Sequence, residues 1–131
     1  MKKLMLFFSL FLIISLAAEI TPADTSQIVK PQITFLEFGS TTCIPCKMME
    51  KVMEEVRTIY GDSVAVIFNN VNEERELSKT WNIKLIPTQI FLDADGKEFF
   101  RHEGYYPTEE IAKLFAENGL PKPEVKEEIK E

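Results

Sequence analysis

Residues 33–60 read Ile33-Thr-Phe-Leu-Glu37-Phe-Gly39-Ser-Thr-Thr-Cys43-Ile-Pro-Cys46-Lys-Met-Met49-Glu-Lys-Val-Met-Glu-Glu-Val-Arg-Thr-Ile-Tyr60. The run Ile33–Phe38 is apolar and β-favouring and ends on Gly39-Ser40, so it reads as a buried strand. A polar turn, Ser40-Thr41-Thr42, leads into Cys43-Ile44-Pro45-Cys46. From there Met49, Val52, Met53, Val56 and Tyr60 recur at helical spacing, with Lys51, Glu54, Glu55 and Arg57 on the opposite side. That pattern predicts an amphipathic helix ending near Gly61. Strand, turn and helix together place two cysteines, three positions apart, at the start of a helix.

Working outward, Val64–Phe68 reads as a second buried strand and Glu73–Trp81 as a helix carrying Leu77 and Trp81 inward. Thr88–Leu92 is a third strand. Asp93-Ala94-Asp95-Gly96 is a hairpin turn, because Asp-Gly tolerates the positive φ that such turns need. Lys97–His102 is the returning strand. Thr108 opens a last helix with Glu109 and Glu110 in its first turn and Ile111, Leu114 and Phe115 on its buried face, stopping near Asn118-Gly119. The order β-α-β-α-β-β-α predicts an α/β domain over residues 32–120. Its parallel strands are joined by helices and followed by an antiparallel hairpin, in a mixed sheet of about four strands with helices on both faces.

The first residues differ in kind. Lys2 and Lys3 precede a run, Leu4–Ala18, of apolar residues and two serines, closing on Ala17-Ala18. A basic start, an apolar middle and a small-residue end read as a secretory signal peptide over residues 1–18. An uncleaved anchor is the competing reading, although the run spans only about 22 Å as a helix against a hydrocarbon core of about 30 Å. Residues 19–31, with Pro22 and Pro31, read as a linker. Residues 121–131 read as a charged, flexible tail. The location expected from this leader is periplasmic or otherwise outside the cytoplasm.

Composition narrows the partners. The 131 residues are 45% hydrophobic and 27% charged, ordinary globular values for one domain. The net charge is −6, and loss of Lys2 and Lys3 with the leader makes it about two charges more negative. Nucleic acid and anionic lipid are therefore poor partners. The chain has two cysteines, and a bond between them closes a very small loop. As a staple it would do little, since the entropic gain grows with loop length. As a redox centre the spacing makes sense.

The chemistry separates the two thiols. Helix N-termini carry unpaired N–H groups and the positive end of the helix dipole, and both favour a thiolate. Cys43 is thus the candidate attacking thiol. Cys46, one turn later and inward, is the candidate resolving thiol. Pro45 suits the first helical turn, where its missing N–H costs nothing, and it stiffens the loop.

The strand, the Cys-x-x-Cys pair, the helix and a later Ile86-Pro87-Thr88 before a strand together resemble the thioredoxin superfamily, over nearly all of residues 32–120. The resemblance implies a thioredoxin-like fold and a protein thiol–disulfide oxidoreductase, with Cys43 as nucleophile, Cys46 as resolving thiol and Cys43–Cys46 as the redox disulfide. It implies a cis bond before Pro87 and substrate contact from Ile86, Pro87, Thr42, Ile44 and Pro45. It sets Glu37, six residues before Cys43, in the place of a buried acid that relays the proton of the inner cysteine. Thr42 and Ile44 depart from the usual Trp-Cys-Gly-Pro-Cys, and Phe68-Asn69 stand where many thioredoxins carry a lysine. The stretch Phe99–Tyr106 is closer to exported thioredoxin-like proteins that work with membrane electron-transfer partners.

Plainer readings stand beside these. Glu37 as a solvent-reaching strand residue is as well supported as Glu37 as a relay. Trp81 reads as core packing, His102 as exposed at a strand end, and Tyr105-Tyr106 as a partner surface or a core edge. A zinc site needs about four ligands, and His102 is the single histidine, so no metal and no cofactor is expected. Met48 and Met49 follow the pair, but Met49 fits the core face. The expected partners are protein disulfides or dithiols and a membrane electron-transfer protein, with the chain a monomer. The expected direction is reduction. An oxidase or isomerase, and a non-catalytic adaptor or metal-delivery protein, are the alternatives.

Overall fold

The computed structural model describes residues 30–124. The leader, nearly all of the linker and most of the tail expected from the sequence lie outside them. Among the described residues no helix is long and apolar enough to cross a membrane.

The chain forms β1 (Ile33–Gly39), α1 (Ile44–Tyr60), a 3-10 turn (Gly61–Ser63), β2 (Val64–Asn70), α2 (Arg75–Thr80), β3 (Thr88–Leu92), β4 (Glu98–Glu103) and α3 (Thr108–Glu117). The sheet order is β2-β1-β3-β4. β1 and β2 run parallel, while β3 runs antiparallel to β1 and β4 antiparallel to β3. The fold is a four-stranded mixed sheet with helices, the α/β architecture expected.

Two expectations are corrected. β2 is an edge strand, with Ile67 exposed and only its ends buried, so its apolar run does not mark burial on both faces. Only one pair of strands is parallel. β3 starts at the end of the sheet where β2 finishes, and runs the other way.

Side chains alternate across the strands and divide the core in two. Ile33, Phe35 and Phe91 pack under α1 and α3 with Met49, Val52, Met53, Val56, Ile111 and Phe115. Leu36, Phe38, Ile90 and Leu92 form the second cluster, covered by Leu77, Trp81 and Ile83. Trp81 tilts onto Phe38 at 6.5 Å between ring centroids, which makes it a packing residue. The Asp93 carboxylate accepts N–H bonds from Asp95 and Lys97 (2.9 and 3.0 Å), and Gly96 has φ +78°, which closes the hairpin as Asp-Gly predicts. The Thr108 hydroxyl donates to Glu55, joining α3 to α1 rather than capping its own helix.

Candidate functional site

The site lies where β1 gives way to α1. Cys43 is the N-cap residue of α1 in extended conformation, its N–H donating to Ser40 O at 3.3 Å. Its sulfur accepts the Cys46 N–H at 3.3 Å, so Sγ sits on one of the unpaired donors of the helix start. The first turn carries no acidic residue to oppose a negative sulfur. Cys43 and Cys46 are joined as a disulfide, with Cα atoms 5.2 Å apart. Cys43 is half-buried and Cys46 buried, so only the first sulfur is open to a partner.

Thr42, Ile44 and Pro45 are exposed around the pair, Ile44 at 76%. The Ile86–Pro87 bond is cis. The register Phe38↔Thr88 continues to set Pro87 opposite Gly39, and Gly39 lies against Cys46. The structure thus brings Cys43, Cys46, Ile86 and Pro87 to one end of the sheet, with Leu85 exposed beside them. His102 is not free at a strand end: it is half-buried and stacked on Tyr106 at 4.4 Å. Tyr106 folds onto the core, its N–H on the Met49 sulfur at 3.4 Å, while Tyr105 stays exposed.

Glu37 is fully buried, not solvent-reaching. It sits one pleat below Gly39 on the face that carries α1, about 7 Å along the strand from the level of Cys46. Burial pushes its carboxyl from the ordinary 4.5 up to about 8, with the Gln89 side chain as the counterweight. That counterweight is a hydrogen bond from Gln89, but no contact to either carboxyl oxygen has good hydrogen-bond geometry.

Two residues of the site were not singled out from the sequence. Gly39 gives the Cys46 sulfur its room: a Cβ there would lie 3.2 Å from Cys46 Cβ, 3.2 Å from Phe68 Cε2 and 3.3 Å from Cys46 Sγ. The Phe68 ring can shift, but Cys46 is fixed by its helix and by its disulfide. Gly39→Ala is therefore expected to lower stability by about 1–3 kcal/mol, read as a lower urea midpoint of the oxidised protein. The other residue is Gln89, fully buried in β3 opposite Glu37. Its signal was present, because an amide in the middle of an otherwise apolar buried strand needs a partner.

A buried thiol and a reachable one, paired at a helix start on a four-stranded mixed sheet, define a thiol–disulfide oxidoreductase. The comparisons with known proteins agree. The thioredoxin-like domain pattern matches residues 25–118. The chain is 30% identical over 93 residues to thioredoxin of Listeria monocytogenes, covering 71% of this chain and 89% of that one. Among solved structures, a chloroplastic thioredoxin z superposes with TM-score 0.62 at 24% identity, over 67% of this chain and 79% of that one. A thioredoxin variant from Halobacterium salinarum superposes with TM-score 0.62 at 22% identity, over 71% and 80%. The chain belongs to the thioredoxin-like family.

Proposed function

We propose that this protein reduces disulfides in exported protein substrates, with Cys43 as the attacking and Cys46 as the resolving thiol. The observation that carries the assignment is the half-buried Cys43, its sulfur accepting the Cys46 N–H at the start of α1, against a buried Cys46. In the reduced protein that donor and the positive end of the helix stabilise a Cys43 thiolate. That thiolate attacks one sulfur of the client disulfide. The client S–S bond breaks, its other sulfur leaves as a thiolate and takes a proton, and a mixed disulfide forms on Cys43. Cys46 then gives up its proton and attacks Cys43 Sγ. The second client sulfur leaves, the client has gained two electrons, and Cys43–Cys46 is oxidised. Glu37, poised near neutral pH and two residues below Gly39, is the acid that takes and returns the Cys46 proton. An external dithiol, such as a membrane electron-transfer partner, restores the reduced pair.

The exposed Thr42, Ile44 and Pro45 and the neighbouring Ile86-Pro87 form the surface for the client backbone, which pairs there as an added strand. The reading of export rests on Lys2-Lys3 and the apolar run Leu4–Ala18. Equilibration of the pair with glutathione tests the direction: a potential near about −270 mV is expected for a reductant, and one near about −120 mV overturns it.

A further inference from the structure

Large apolar side chains scattered singly over a surface need no account, but a group of them marks a surface that something covers. Five are exposed among the described residues: Ile44, Met48, Ile67, Leu85 and Tyr105. Ile67 stands apart on the edge strand β2. The other four surround the Cys43–Cys46 disulfide.

Two of them belong to the helix side. Ile44 opens α1 and Met48 follows one turn later on the same face, both more than half exposed. The other two belong to the strand side. Leu85, also more than half exposed, comes two residues before the cis-bonded Pro87, and its carbonyl accepts the Thr88 hydroxyl at 2.7 Å. Gly104 N donates to Pro87 O at 2.7 Å, which sets Tyr105 beside the same loop. The Tyr105 carbonyl accepts from His102 Nε2 at 3.3 Å, and Tyr106 N reaches the Met49 sulfur on α1. The backbones of Leu85 and Tyr105 are thus held by the fold while their side chains face solvent. Such holding lowers the entropy that binding costs.

Cys43 precedes Ile44, and Cys46 lies against Gly39, opposite Pro87, so the disulfide lies between the two halves of the patch. Whatever covers the patch has to bring a sulfur to Cys43. A folded client buries most of its large apolar residues, so the matching client is an extended segment that still exposes them. In an extended chain side chains alternate. A cysteine turned toward Cys43 takes with it the residues two places before and after, about 7 Å away on each side, while its immediate neighbours point away.

We propose that Ile44 and Met48 on one side, and Leu85 and Tyr105 on the other, select unfolded client segments whose large apolar residues stand two places from the cysteine. Met48, Leu85 and Tyr105 are then specificity residues of the exchange, outside the reacting pair. This selection rests on the reading of the pair as an exchanger of protein disulfides, and its test separates the two.

The probes are two short peptide disulfides of equal composition. One has Leu two places either side of its cysteine and Ser directly beside it; the other has these exchanged. The rate at which the reduced protein opens each is measured in a single turnover and divided by the rate with dithiothreitol. Partial burial of the leucines is expected to favour the first peptide by about tenfold. In Leu85→Ser/Tyr105→Ser, and in Met48→Ser, the preference falls to about threefold or less, while Ile67→Ser keeps it. A wild-type ratio near one overturns the proposal, and a second copy seated on the patch, shielding it, gives that result. A preference that survives the double substitution, or that Ile67→Ser removes as fully, overturns it too. If a variant does not fold, the wild-type ratio decides. Oxidised protein run against the same peptides as thiols separates direction from selection. The preference is expected there as well, so a strongly oxidising potential overturns the reading of reduction and leaves the selection standing. No exchange with either peptide in either direction overturns both.

Discussion

In an insulin-reduction assay, Cys43→Ala is expected to fall to the uncatalysed background, a loss of about three orders of magnitude or more. The size follows from the site. Cys43 is the half-exposed sulfur, and Cys46 is buried behind it, so no second thiol can begin the exchange. Cys46→Ala should behave differently. It keeps the sulfur on the helix start, forms the first bond with the client and stops there, leaving a mixed disulfide on Cys43. Mass spectrometry under non-reducing conditions reads this directly, as an adduct on Cys46→Ala and none on Cys43→Ala. Activity that survives in Cys43→Ala overturns the assignment of the attacking thiol. An adduct that survives there overturns it equally.

The contrast between the two cysteines was readable before any coordinates, because it depends on local features: a strand that stops, a polar turn, a proline tolerated in a first turn, and a helix with one apolar face. The strand and helix bounds around Cys43 came out for the same reason. What the sequence hid is long-range. Val64–Phe68 looks like a central strand by composition, and only the sheet order shows that it is an edge. The reversal of β3 shows only in its antiparallel register with β1. Glu37 was ambiguous between solvent and core because one carboxylate in an apolar strand has no local sign of which face it occupies. The register with Gln89 decides that, and register belongs to two strands more than fifty residues apart in the chain. His102 was likewise misplaced, since its stacking on Tyr106 forms only when the loop after β4 folds back.

The burial of Glu37 has a large consequence for stability. Its carboxyl lies near 4.5 when exposed and is pushed up to about 8 in the folded chain. Between those values the folded state holds a proton that the unfolded state has released, so stability falls as pH rises. The contribution is fully present below the unfolded value and is lost as pH climbs through the folded one. At about 1.4 kcal/mol per pH unit, the whole window amounts to about 4–5 kcal/mol. That is a large share of the roughly 5–15 kcal/mol that holds a typical domain together. The other shifted groups act elsewhere. Glu98 is lowered by its bond to Arg101 and affects the acid side, while Tyr60 and Tyr106 are raised by burial and affect the alkaline side. Glu37→Gln keeps the shape and removes the charge. Urea midpoints of the oxidised variant should therefore be nearly flat from about pH 5 to 8, where the wild type declines. The two should be close in acid, with the variant more stable by several kcal/mol at the alkaline end. Parallel curves for the two proteins would show that Glu37 is already ionised in the folded state. Its carboxylate would then lean on the hydrogen bond from the Gln89 side chain, the cause that opposes the rise. The slope of stability against pH thus reads the Glu37 proton, the one proposed to serve Cys46, in a protein whose disulfide is closed and whose thiols are silent.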